Sequence, residues 1–337
     1  MPARARPISA LHAYGHFTTA TACHTCHSMA GCLYCIININ PAMKFRHSLV
    51  SGLFLLLKAA RVLASPAPVA HSEIMTRSIS TVLYDDLVRY TKYASAAYQL
   101  ACPSPLGNHL VQSFSQGSTQ GFVARDDNRR EIVVSFRGTS SLADAITDLN
   151  LVLTPLATPG INKPFSVHSG FLNAYNDVAR IVINSVGTQA SQFSQGYSLI
   201  VTGHSLGGAL AALGAVSLKT AFPKVPMKLY TFGQPRTGDA QWAKYIESLV
   251  GVDNIFRAVH TFDGVPTIVA PGFQHHATQY WQSHDPIPLL ESAESTVTRC
   301  IGEEDPACSN IIPSTGINPA HVFYFGQVMA VNPLLCV

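Results

Sequence analysis

From about residue 80 onward the apolar positions switch repeatedly between two periods, one of two residues and one of three to four. Thr81–Ala101 carries Leu87, Tyr90, Ala94 and Tyr98 at helical intervals, and Ser169–Val186 does the same with Phe171, Tyr175, Val178 and Ile181. The short runs Gly121–Arg125 and Glu131–Phe136 flank the turn Asp126-Asp127-Asn128 and predict a hairpin. Tyr197–Thr202 predicts a strand and Leu206–Lys219 a helix. Lys228–Phe232 and Ile255–His260 predict two more strands, separated by a helix over Asp239–Val250. Strand and helix alternating in this way imply a mostly parallel central sheet with helices on both faces, an α/β fold. No linker interrupts residues 78–337, which are expected to form one domain.

The N-terminal quarter has another character. Met43–Ala64 has a basic start (Lys44, Arg46), an apolar run Leu49–Leu57 and small residues around Ala64, the pattern of a secretory signal peptide. Lys58 ends the apolar run after nine residues, far short of the ~20 needed to span a bilayer, so no stable membrane span is expected. Ser65–Arg77 is Pro/Ala-rich and reads as a propeptide or linker. Residues 1–42 contain Cys23, Cys26, Cys32 and Cys35 as C-x2-C-x5-C-x2-C. That spacing is short for a zinc ribbon. The stretch therefore reads as a leader or a gene-model extension, with translation starting at Met43, and no metal site is expected. A secreted, extracellular protein follows.

Of the 337 residues 47% are hydrophobic and 12% charged, enough apolar content for a sizeable core. The net charge of +3 is set by the first 64 residues, with six basic side chains and no acid; the rest carries 16 basic against 19 acidic residues. A mildly acidic body with no basic stripe argues against a nucleic-acid partner. Four cysteines remain beyond residue 64, Cys102, Cys300, Cys308 and Cys336, and four allow three pairings. Cys300 and Cys308 bracket a short acidic loop and could close a local bridge, leaving Cys102 for Cys336.

The chemistry centres on Gly203-His204-Ser205-Leu206-Gly207, set between the strand and the Ala/Leu-rich helix. G-x-S-x-G alone arises by chance in roughly one chain in ten of this length. Between a strand and a helix it predicts a nucleophile elbow, a sharp turn that exposes a serine hydroxyl and requires glycine two residues to either side. A serine nucleophile needs a base, an acid to orient it and donors for the oxyanion. After Ser205 the acids at loop positions are Asp263 and Asp285. Asp263 is favoured, because it follows the strand IFRAVH and opens a Gly-Val-Pro turn at the sheet edge where sites of such folds gather. His275, His276, His284 and His321 follow the acid, and the chain order Ser-Asp-His is compatible with each.

The segments VVSFRGTSS (Val133–Ser141), VHSGF (Val167–Phe171), TGHSLGGALA (Thr202–Ala211), YTFGQPRTGD (Tyr230–Asp239), RAVHTFDGVP (Arg257–Pro266), QYW (Gln279–Trp281) and INPAHVFYFG (Ile317–Gly326) resemble, in order, those of the class 3 lipase family of secreted fungal enzymes. The resemblance covers most of residues 80–337. It implies the α/β-hydrolase fold, with Ser205 as nucleophile, Asp263 as acid, His321 as base and the backbone N–H groups of Thr139 and Leu206 as oxyanion donors. It also implies a Cys102–Cys336 bridge and no cofactor. The expected substrate is an acylglycerol or other ester, met at a lipid–water interface by a monomer.

In that family the segment after RGT is a lid, here Ser141–Asn150. Leu142, Ile146 and Leu149 share one helical face, with Asp144 and Asp148 on another. Ser141 and Asp144 make a start like a capping box. Such a helix can cover a site in water and turn its apolar face to lipid. The family pattern further suggests that Asp148 holds the Thr139 hydroxyl. Feruloyl esterases share the fold, and RCIGEEDPAC…NPAHVFYFG resembles theirs. Their substrate-binding tyrosine, however, aligns with Leu151, and their terminal tryptophan with Val337. The expectation is an acylglycerol lipase, with a feruloyl esterase or other carboxylesterase as the alternative, and an inactive lipid-binding homologue as the alternative from another class.

Overall fold

The computed structural model describes residues 77–139, 151–192 and 196–336. Helix α1 (Thr81–Ala96) starts at Ser80, whose hydroxyl accepts from the Leu83 N–H and so satisfies one of the unpaired donors of the first turn. Three antiparallel-linked strands follow: β1 (His109–Gln116), β2 (Thr119–Asp126) and β3 (Glu131–Phe136). A separate antiparallel ribbon, β4 (Leu153–Thr158) and β5 (Ile161–His168), leads into helix α2 (Ser169–Gln192). Next come β6 (Ser198–His204), α3 (Leu206–Ala221), β7 (Met227–Phe232), α4 (Ala240–Val250) and β8 (Ile255–His260). Strands β9 (Gln279–Gln282) and β10 (Val297–Arg299) finish the main sheet, and a small hairpin of β11 (Phe323–Tyr324) and β12 (Gln327–Val328) lies near the end.

The main sheet runs β1-β2-β3-β6-β7-β8-β9-β10. Its centre, β3 through β9, is parallel, and its two margins are antiparallel. Each central strand is apolar on both faces, as a sheet covered on both sides demands. Ile132, Val134, Phe136, Leu199, Val201 and Leu229 point into one core with α2, α3 and α4, whereas Val133, Ile200, Tyr230 and Phe232 point into the other with Leu87, Tyr90, Tyr93 and Ala94 of α1. The expected architecture is therefore present. Cys102 bonds to Cys336 and Cys300 to Cys308, the pairing expected.

The boundaries differ in instructive ways. The first helix stops at Ala96, five residues early, because the Tyr98 and Gln99 N–H groups close short turns onto Ser95 and Ala96 and Tyr98 turns inward. The second runs on to Gln192, burying Gln189 beyond Val186. Arg77, which the sequence places in the linker, ion-pairs at 2.9 Å with buried Asp305. The segments 1–42, 43–64 and 65–76 and the lid residues Ser141, Leu142, Asp144, Ile146, Asp148 and Leu149 lie outside the described residues. Among the described residues no helix is long and apolar enough to cross a membrane.

Candidate active site

The strand-to-helix turn after β6 puts Ser205 at φ 57°, ψ −127°, a conformation that costs a non-glycine residue on the order of 1–3 kcal/mol. Neighbouring backbone enforces it. A Cβ on Gly203 would come within 2.2 Å of the Gly207 carbonyl oxygen, and one on Gly207 within 2.3 Å of the Phe136 carbonyl oxygen. The Ser205 N–H is in turn held by the Phe232 carbonyl at 2.9 Å. The serine thus sits at the C-terminal rim of the sheet, between β3 and β7.

Two chain segments bring partners to that rim. β8 ends at His260, and the turn after it delivers Asp263, whose N–H returns to the His260 carbonyl at 2.9 Å. The short turn Pro319–Val322, capped by Asn318 with Pro319 in its first turn, delivers His321. His321 Nε2 lies 2.9 Å from Ser205 Oγ, and His321 Nδ1 lies 2.9 Å and 3.0 Å from the two Asp263 carboxylate oxygens. Ser205, Asp263 and His321 are all buried. The carboxylate also accepts from the Val265 N–H at 2.9 Å and from the Tyr324 hydroxyl. It therefore has the acceptor bonds that a buried charge requires. Burial and the Asp263 charge raise the Tyr324 phenol well above its ordinary range, so it stays a donor.

Register brings the segments of the two expected oxyanion donors together. Phe136 of β3 lies level with Gly203 of β6, so the Arg137-Gly138-Thr139 loop rises beside the elbow. Leu206 is the first residue of α3, where backbone N–H groups have no partner within the helix and carry the positive end of its dipole. Both segments that carry the expected donors border the serine.

Of the other candidates, Asp285 accepts from His260 Nε2 at 3.1 Å rather than from any base beside the serine. His284 is half exposed and pairs with Glu291. His275 and His276 are buried beneath the loop that follows Asp263, where His275 Nε2 meets the Pro266 carbonyl at 2.8 Å. Cys300, Asp305 and Cys308 lie together, but the two sulfurs are bonded to each other and the carboxylate to Arg77, so they offer no thiolate ligands.

A model of the family described as lipase (class 3) matches residues 133–273. The lipase of Rhizopus microsporus var. chinensis has a solved structure that is 30% identical, with a TM-score of 0.65 over 77% of this chain and 92% of that one. The chain belongs to the class 3 lipase family. Its fold is accordingly the α/β-hydrolase fold. The lipase of Rhizomucor miehei is 36% identical over 65% of this chain and 57% of its own length. A secreted mono- and diacylglycerol lipase A of Penicillium cyclopium is 28% identical over 77% of this chain and 90% of its own. The chain spans only 57–62% of the full length of the Rhizomucor miehei, Rhizopus niveus and Rhizopus oryzae lipases it matches.

In this member of the family two side chains around the site, His204 and Tyr324, were not singled out from the sequence. His204 is wholly buried; its Nδ1 accepts from the Tyr98 hydroxyl at 2.7 Å and its Nε2–H donates to the His321 carbonyl at 2.7 Å. Burial, aided by the nearby His321, holds its pKa well below 6.5 and so fixes this neutral tautomer. Tyr324 completes the Asp263 cage. The signal was available in each case, since His204 lies inside G-H-S-L-G and Tyr324 three residues past His321, but nothing in spacing alone reveals what they bond.

Buried neutral histidines have a cost in acid. Burial, with Arg257 and Arg236 nearby, depresses His275 well below 6.5, and burial with Arg257 brings His276 down to about 3. The unfolded chain takes up protons at these positions near pH 6.5 while the folded one refuses them, so stability is full above that pH and falls below it. Each such group contributes a slope of up to about 1.4 kcal/mol per pH unit. Thermal melts are expected to be level from pH 8 to about 6.5 and then to drop steadily toward pH 4; a melting temperature unchanged over that acid range would contradict the assignment.

Proposed function

We propose that this chain is a secreted carboxylester hydrolase acting on acylglycerols. The observation that carries the reading is the single imidazole, His321, bonded at once to the Ser205 hydroxyl and the Asp263 carboxylate. Ser205 Oγ attacks the ester carbonyl as His321 Nε2 takes its proton, and Asp263 orients the ring and stabilises the imidazolium. The Thr139 and Leu206 N–H groups receive the oxyanion. Fixed backbone donors need no reorganisation, and removing one comparable donor typically costs about 2.7–4 kcal/mol of transition-state stabilisation. His321 then protonates the leaving alcohol, and water, activated by the same base, hydrolyses the acyl-enzyme. The steps need no cofactor.

Family membership and the names of the relatives support acylglycerols as substrate, and the secreted relatives support export through the 43–64 segment ahead of a catalytic domain over 78–337. A monomer working at a lipid–water surface is part of the same reading. Its support is an apolar fringe: Leu151 and Val152, which leave the lid segment, and Phe262 and Val269, on the loop of the acid, are all exposed. The two segments are neighbours, since a Cβ on Gly272 would lie 3.5 Å from Leu153 Cδ1. Leu151, where feruloyl esterases place a tyrosine, favours an aliphatic acyl group over a phenolic one. Comparing kcat/KM on a long-chain diacylglycerol emulsion and on methyl ferulate tests this; preference for the ferulate would replace the lipase reading with the esterase one.

A further inference from the structure

We propose that His260 is a positioning residue for the base, acting through one hydrogen bond from its Nδ1 to the carbonyl oxygen of Ala320. The proposal rests on the hydrolase reading above. His260 is the last residue of β8 and is buried, with only 4% of its surface exposed. Its Nδ1 lies 3.2 Å from the Ala320 carbonyl oxygen and its Nε2 3.1 Å from Asp285 Oδ1. Turning the ring over would set carbon atoms against both oxygens, so one orientation is selected.

Neither oxygen can donate. A carbonyl and an ionised carboxylate are acceptors only, so both contacts are bonds only when each ring nitrogen carries a hydrogen. Asp285, half exposed on the β9–β10 loop, is the partner of the outer nitrogen.

Ala320 directly precedes His321 in the Pro319–Val322 turn. The next carbonyl, that of His321, is held by His204 Nε2 at 2.7 Å. Two successive carbonyls of one turn are therefore gripped by rings from two strands, His204 from the β6 end that carries the nucleophile and His260 from the β8 end that carries the acid. The base is referenced to both of its partners. With the His260 bond gone, the turn keeps its tie to the serine strand and loses its tie to the end of β8, while Asn318 Nδ2 still donates to the Phe262 carbonyl at 2.7 Å.

A filler role for His260 makes a different forecast, because its ring also lies 5.6 Å from the rings of Phe323 and Tyr324. Asparagine keeps an N–H where Nδ1 was but leaves more empty space, whereas glutamine fills more space and keeps an N–H only where Nε2 was. The experiment measures kcat and KM on p-nitrophenyl butyrate, with thermal melts, for His260→Asn, His260→Gln and Asp285→Ala. His260→Gln is expected to lower kcat by about 10- to 100-fold at unchanged KM, the scale of a misplacement near 1 Å. His260→Asn, which keeps the inner N–H, and Asp285→Ala, which removes a half-exposed side chain, are expected to keep kcat within about threefold of the wild type. Equal losses in the Asn and Gln variants, a larger loss in Asn, no loss in Gln, or a loss in Asp285→Ala matching that of Gln would each overturn the proposal. Failure of the hydrolase reading shows separately, as butyrate hydrolysis by the wild type that survives Ser205→Ala.

Discussion

Replacing Ser205 with alanine is expected to lower kcat by about 10⁶-fold, with substrate affinity and melting temperature close to those of the parent protein. The size follows from how the site is wired. Among the described residues the Oγ is the hydrogen-bond partner of His321 Nε2, so its loss removes the group that the base deprotonates. Residual rate would come from the oxyanion donors and binding alone. Because serine and histidine act as one unit, a Ser205→Ala/His321→Ala double variant should be no worse than either single one. Multiplicative losses would mean that the two side chains work independently, and a rate near that of the parent protein would remove Ser205 from the chemistry.

Gly207→Ala is expected to lower kcat by about 10²-fold or more and to destabilise the fold by about 1–3 kcal/mol. An added Cβ would lie 2.3 Å from the Phe136 oxygen and 2.8 Å from the Arg137 carbonyl carbon, both backbone atoms. No side chain can swing away, so the start of α3 and the end of β3 must part. Those two segments carry the Leu206 and Thr139 N–H groups, and parting them separates the two proposed oxyanion donors. Gly208→Ala is the control. Its Cβ meets only the Gln234 side chain, at 3.1 Å and 3.3 Å, together with the Gly203 oxygen at 3.3 Å, and a few tenths of an ångström relieve it. Assays of kcat with thermal melts on the two variants separate the cases; equal, small effects would contradict this account of the elbow.

The central strands were readable because each carries apolar residues on both faces between glycine-rich turns, and β3, β6, β7 and β8 fall within a residue or two of their expected ends. The edge strand β1 was not, since only Phe114 of its eight residues is buried. β9, at four residues, and β10, at three, are too short for a period to show, and their pairing comes from the sheet beside them. The ribbon β4–β5 escaped because prolines interrupt both strands and its burial does not alternate. At the site, Ser205 announced itself through local geometry, because its two glycines are needed within five residues of chain. Asp263 and His321 had only order and resemblance to separate them from Asp285 and from three other histidines. The bonds of His204 to Tyr98, of Tyr324 to Asp263 and of His260 to Ala320 join positions scores of residues apart, and no periodicity encodes such pairs.

The most direct test of the account is covalent. The wild-type protein, treated with a long-chain alkyl phosphonate bearing a p-nitrophenolate leaving group, is expected to release one equivalent of p-nitrophenolate, lose all ester turnover, and carry the phosphonyl group on the Ser205 peptide by mass spectrometry, with no label on His321→Ala. Full activity after treatment, or complete inactivation with the adduct on any other residue, would contradict it.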